Sequence, residues 1–68
     1  MTNTELLEEK IRNSGKKKNH LAEKVGLSST GFRKCVVNKA QFKTGQIKIL
    51  CEELGIRTPE ELHDIFFS

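Results

Sequence analysis

Stop signals cut this chain into pieces too short to hold a helix alone. Gly15, Gly26, Asn38 and Gly55 each close an apolar run with helical spacing. Residues of these two types accept the left-handed backbone that ends a helix. The segments between them run to about eight to eleven helical residues, below the length at which an isolated helix persists in water. They can be helical only by packing on one another.

Start signals complete the pattern. Thr2, three residues before Glu5, fits a capping box for the first helix, with Thr4 as the competing cap. Leu6, Leu7 and Ile11 follow at helical spacing. The second helix spans about Lys18 to Val25, with Leu21, Ala22 and Val25 on one face. Its start is weak, because Lys16 or Lys17 stands where Ser or Thr would cap. Ser28 caps a third helix that ends near Val37 and turns Phe32, Cys35 and Val36 inward. Thr44 caps a fourth, Gly45 to Leu54, with Ile47, Leu50, Cys51 and Leu54 inward. The fifth opens on Thr58 as N-cap, Pro59 at N1 and Glu61 at N3, a second capping box, and carries Leu62, Ile65 and Phe66 or Phe67. The nearest strand candidate, Lys34 to Lys39, is too short to alternate. The spacing predicts an all-α, compact five-helix bundle, one domain over residues 1–68.

Size and composition narrow the function. A chain of 68 residues builds one small core and leaves little room for a catalytic pocket of several hundred Å³, so no enzyme is expected. With 35% hydrophobic and 31% charged residues, it is neither a disordered tail nor a membrane span. Met1 to Gly15 has no apolar leader core, and two cysteines make no disulfide framework, so a cytoplasmic location is expected. His20, His63, Cys35 and Cys51 lack zinc-ligand spacing, and no glycine-rich phosphate loop, nucleophile elbow or carboxylate pair is present. No metal, cofactor or small-molecule ligand is expected. Cys35 and Cys51 read as packing residues; a redox role would need their sulfurs within disulfide reach.

The formal net charge of +3 conceals a strong asymmetry. Between residues 16 and 43, Lys16, Lys17, Lys18, Lys24, Arg33, Lys34, Lys39 and Lys43 face Glu23 alone, a net +7. The flanking segments, 1–15 and 44–68, carry −1 and −3. A focused basic centre favours a polyanionic partner.

Only Gly26 and Leu27 separate the second helix from the cap of the third. That is the spacing of a helix-turn-helix, at about residues 18–37, whose helices cross steeply over a three- to four-residue turn. A small residue must sit at the crossing, and Ala22 fits. The turn needs a residue tolerant of positive φ, and Gly26 fits. Leu21, Val25, Leu27, Phe32 and Cys35 can seal the angle between the helices. All these demands are met between Leu21 and Cys35.

The run His20 to Lys39, HLAEKVGLSSTGFRKCVVNK, resembles the helix-turn-helix of the Cro/CI-type phage repressors, the XRE family. FKTGQIKILCEELGI resembles that family's fourth helix, and LLEEKIRNSGKKKNHLAEKVG its first two; the likeness covers about Leu6 to Ile56. The chain departs from the family pattern at three places. Lys17–Lys18 replace the common Thr-Gln start of helix two, Cys35-Val36-Val37-Asn38 replace the familiar Trp-Glu-Asn-Gly, and Gly31 stands inside the third helix where Ser or Thr is usual. Gly31 reads either as a close approach of backbone to DNA or as a tolerated surface glycine.

The resemblance implies a lambda-repressor-like domain and a small regulator of prophage or mobile-element type, acting as a repressor on a double-stranded DNA operator. The recognition helix, about 29–37, would lie in the major groove. Ser29, Thr30, Arg33 and Lys34 point outward because Phe32, Cys35 and Val36 point inward. By resemblance, Ser29, Thr30 and Lys34 match positions that read bases, and Lys34 or Arg33 could address guanine O6 and N7. Helix starts and the following loop give the expected phosphate contacts: Lys17, Lys18, Ser28, Asn38, Lys39, Lys43 and Thr44. Phe66 and Phe67 leave two arrangements open. Either one ring exits to a partner surface in a two-fold homodimer, or both cap the monomer core. The competing function is a protein-interaction or antitoxin-like module on the same fold. Such a module has no reason to gather net +7 around its third helix.

Overall fold

The fold is described from a computed structural model covering residues 1–68. Five helices form and no strand: α1 (Thr4–Ser14), α2 (Lys18–Lys24), α3 (Ser29–Val36), α4 (Thr44–Leu54) and α5 (Pro59–Phe66). None is long and apolar enough to cross a membrane. The molecule measures 28 × 24 × 21 Å.

The helix starts follow from which side chains reach the free N–H groups. Ser28 accepts from the Gly31 N–H at 3.0 Å, and Thr58 from the Glu61 N–H at 3.2 Å, with Pro59 opening α5. Lys17 at the start of α2 makes no side-chain cap. Three expectations need correction. Asn3, not Thr2 or Thr4, caps α1, accepting from the Leu6 N–H at 3.1 Å. The backbone of Thr2 is bonded elsewhere, to Asn38, and the Thr4 hydroxyl donates to the Val36 carbonyl at 2.6 Å. Lys43, not Thr44, is the N-cap of α4; its N–H is met by Gln46 Oε1 at 2.8 Å, and Thr44 is the first helical residue. Phe42, buried one residue upstream, sets where the chain can enter α4. In α5 the Glu61 carboxylate, which a capping box would send back to Thr58, pairs instead with Lys10 at 2.9 Å.

The centre of the core takes one side chain from each of the first four helices: Leu7, Leu21, Phe32 and Leu50. Ile65 and Phe66 close it from α5. Three core residues lie outside the helices: Val25, Phe42 and Ile56. Phe42 stands edge-on to Phe32 at 5.7 Å and to Phe66 at 5.9 Å between ring centres. This chain of rings joins α3, the loop after it, and α5. Edge-to-face pairs add about 0.5–1.5 kcal/mol each beyond area burial.

Acidic side chains from the flanking helices return to the basic middle. Glu8 of α1 pairs with Lys18 at 2.7 Å. Glu53 of α4 accepts from Lys16 Nζ at 3.0 Å and from His20 Nε2 at 3.3 Å. The Lys16 hydrogen bond, above all, holds the Glu53 carboxyl below its usual range, with His20 adding to it.

Two outcomes follow from this packing. Phe42→Ala should cost about 3–5 kcal/mol in urea denaturation, as for a core aromatic rather than a loop residue; a loss of a few tenths would contradict the ring chain. A carboxyl with a depressed pKa stabilises the fold above its unfolded value, and the contribution fades as pH drops through the folded value. The stability gap between wild type and Glu53→Gln should therefore be level above about pH 4.5 and shrink below it. A gap that widens in acid would reverse the sign.

Candidate nucleic-acid interface

The α2–α3 turn is built from a single closing motif followed at once by a cap. Val25 ends α2, and Gly26 takes φ 76°, a backbone that glycine adopts without strain. The Gly26 N–H then donates to the Glu23 carbonyl at 3.1 Å and the Leu27 N–H to the Ala22 carbonyl at 2.9 Å. This is the paired bonding of a Schellman ending, which satisfies carbonyls that the helix leaves free. Leu27 packs on the core, and Ser28 immediately caps α3. Ala22, 2% exposed, leaves room for α3 to pass.

One face of α3 is thereby fixed inward and the other outward. Phe32, Cys35 and Val36 are buried, whereas Ser29, Thr30, Arg33 and Lys34 are exposed. Neither Arg33 nor Lys34 has a carboxylate within ion-pair distance. The Ser29 hydroxyl donates to Asn19 Oδ1 at 2.8 Å, tying the first turn of α3 to α2. Asn19 carries no cap or periodicity signal in the sequence, and only helix packing brings it here. Lys18, Asn19, Ser29, Thr30 and Arg33 line one depression between the two helices. Gly31 has a local reason of its own. A Cβ there would stand 3.3 Å from the Ser28 oxygen, against the cap of the helix.

The residues expected at phosphates divide into groups. Lys17, Lys39 and Lys43 are exposed and unpaired. Thr44 is exposed with its hydroxyl free of a capping role. Lys18 is held by Glu8, and Ser28 accepts from its own helix. Asn38 lies in the left-handed region, φ 67°, as expected. Its side chain bonds Thr2 through Oδ1 and one Nδ2–H, which leaves the second Nδ2–H as its free donor. The loop stays close to α3, because Lys39 and Ala40 N–H both donate to the Lys34 carbonyl, at 2.8 and 3.2 Å. Gln46 Nε2 reaches the Val25 carbonyl at 3.4 Å, joining the start of α4 to the end of α2.

At the far end the two phenylalanines part. Phe66 is buried against Phe42 and cannot serve as a contact in the folded chain. Phe67 is 53% exposed and lines a small groove with Met1, Gln41 and Ile47. Cys35 and Cys51 are free thiols. Burial pushes both thiols up, and Glu61 and Glu52 push Cys51 further, so both are protonated at neutral pH.

No family model, no curated protein and no solved structure matches the chain.

Proposed function

We propose that this chain is a sequence-specific double-stranded DNA-binding protein with a lambda-repressor-like helix-turn-helix, α2 and α3. It serves as a small transcriptional regulator, a repressor of the prophage or mobile-element type. The observation that carries the reading is the outer face of α3. Ser29, Thr30, Arg33 and Lys34 are exposed, and both cations on that face are unpaired. In the major groove, the N-terminal part of such a helix reaches base edges. Lys34 reads a guanine, Thr30 meets a hydroxyl-compatible edge or a thymine methyl, and Arg33 divides between base and phosphate. Ser29 acts as part of a pair with Asn19, since its hydroxyl proton is already directed there.

Lys17, Lys39, Lys43 and Thr44 supply phosphate contacts, with Lys18 joining them where its bond to Glu8 yields. Phe67 is the residue proposed for a two-fold contact between two copies. The dimer would place two recognition helices about 34 Å apart, one helical turn of DNA.

Selection from a random duplex pool, followed by binding over a salt series, tests the reading. The expected result is an enriched motif with two inverted half-sites and affinity that falls steeply with salt. Recovery of no motif, with affinity insensitive to salt, would favour a protein-interaction module instead. A single half-site with one copy bound would remove the dimer and leave the DNA reading intact. Lys34→Ala should fold normally, cost about 1–3 kcal/mol at the selected site and relax preference at one base position. An unchanged motif after that substitution would remove Lys34 from the base-reading set.

A further inference from the structure

All four carbonyls that α3 leaves free at its end have partners. Arg33 accepts from the Val37 N–H at 3.1 Å, Lys34 from Lys39 at 2.8 Å and Cys35 from Asn38 at 3.3 Å. The fourth, Val36, accepts from the Thr4 hydroxyl at 2.6 Å. That last bond comes from 32 residues away, and it is not alone. Asn38 Nδ2 donates to the Thr2 carbonyl at 2.7 Å, and Asn38 Oδ1 accepts from the Thr2 N–H at 2.9 Å. One side-chain amide thus bonds both polar groups of one backbone residue, as a neighbouring strand would. Thr2 is only 8% exposed and Asn38 half-buried, so these bonds are partly shielded from water and costly to leave unmade. The same extended segment is fixed to α5 by the Asn3 N–H, which donates to the Ile65 carbonyl at 2.6 Å.

Asn38 is the only non-glycine residue at positive φ, and it opens the loop that carries Lys39 and Lys43. Phe42 anchors the other end of that loop in the core. Lys39 therefore projects from between two fastened points, and Lys43 from the residue just past the second. Ordering such a loop before binding removes an entropic cost that binding would otherwise bear.

We propose that the N-terminal residues Thr2–Thr4, acting through Asn38 and the Val36 carbonyl, are a positioning element that sets where Lys39 and Lys43 meet the phosphate backbone. This rests on the DNA reading above. Asn38 and Thr4 touch no DNA in this arrangement; they act on the loop.

Three variants test it. Asn38→Gly keeps the left-handed backbone and removes both amide bonds. Thr4→Val removes the hydroxyl donor at nearly constant shape, and Thr4→Ser restores it. Each is titrated by fluorescence anisotropy with a mixed-sequence DNA duplex of about two helical turns, over a salt series, at a temperature where urea melts show it folded. Each phosphate contact adds about 0.9 to the slope of log affinity against log salt. The slope should fall by about 0.9 or more in Asn38→Gly, toward that of a Lys39→Ala/Lys43→Ala double variant. It should fall by a smaller amount in Thr4→Val and keep its wild-type value in Thr4→Ser. Folded variants that all keep the wild-type slope would overturn the proposal while leaving DNA binding in place. A flat slope in the wild type would overturn the DNA reading and this inference together. If Asn38→Gly does not fold, the Thr4→Val and Thr4→Ser pair decides.

Discussion

The contact on which the rest depends is the edge-on placement of Phe42 between Phe32 and Phe66. Its three rings come from the recognition helix of the proposed reading, the loop that follows it, and the last helix. None of these could hold its place separately. α3 and α5 are eight residues each, too short to persist in water. A loop with four exposed residues among Lys39 to Lys43 has no reason of its own to be ordered. With Phe42 inserted, the outer face of α3 and the loop cations become parts of one rigid surface. The core is then less a store of stability than the means by which exposed residues keep fixed distances.

Charge follows the same organisation. The acidic ends of the chain lie over part of its basic middle, where Glu8 meets Lys18 and Glu53 meets Lys16 and His20. Exposed pairs of this kind are worth little in stability, about 0–1 kcal/mol each. Their larger effect is on the field. Lys16 and Lys18 are neutralised locally, while Lys17, Arg33, Lys34, Lys39 and Lys43 are not. Of the unpaired cations, Arg33, Lys34, Lys39 and Lys43 lie on α3 and its loop. A polyanion approaching along the field meets that surface first.

The helices, their order and most of their inward residues could be read from the chain because those signals are local. A glycine at φ 76° or a serine over an open helix turn needs no distant partner to be recognised. The errors arose where a distant group competed for the same atoms. Thr2 looks like a cap beside Glu5, but its backbone is engaged by Asn38, 36 residues away, and Asn3 takes the cap. The bonds from Asn38 to Thr2 were hidden for the converse reason, since nothing near Asn38 in sequence uses its amide. Phe42 has no helical neighbours to give it a period, so no pattern marks it as core. Asn19 became visible only once α2 lay beside α3. The outward set Ser29, Thr30, Arg33 and Lys34 was legible because it is the complement of a periodic inward set. What those four residues contact is a property of a second molecule, which no pattern in this chain encodes.

Gly31 shows how closely the outer face of α3 is tied to the fold. In a helix interior glycine is disfavoured by about 1 kcal/mol relative to alanine, and α3 is too short to absorb such a loss easily. The space beside Gly31 is bounded by the Ser28 oxygen, which already accepts the Gly31 N–H. A methyl group there would press on the cap at 3.3 Å, so the serine oxygen would have to shift by a few tenths of an ångström. The contact opposes what alanine would gain in helix propensity, so the cap supplies a local reason for glycine at this position. The consequence for function is geometric. The first turn of α3 is set by Ser28 on one side and by the Asn19–Ser29 bond on the other. Both constraints exist in the free protein. The residues proposed to meet base edges therefore begin from a turn already in place, and discrimination between sequences can be expressed as good or bad contacts instead of as the cost of forming the helix.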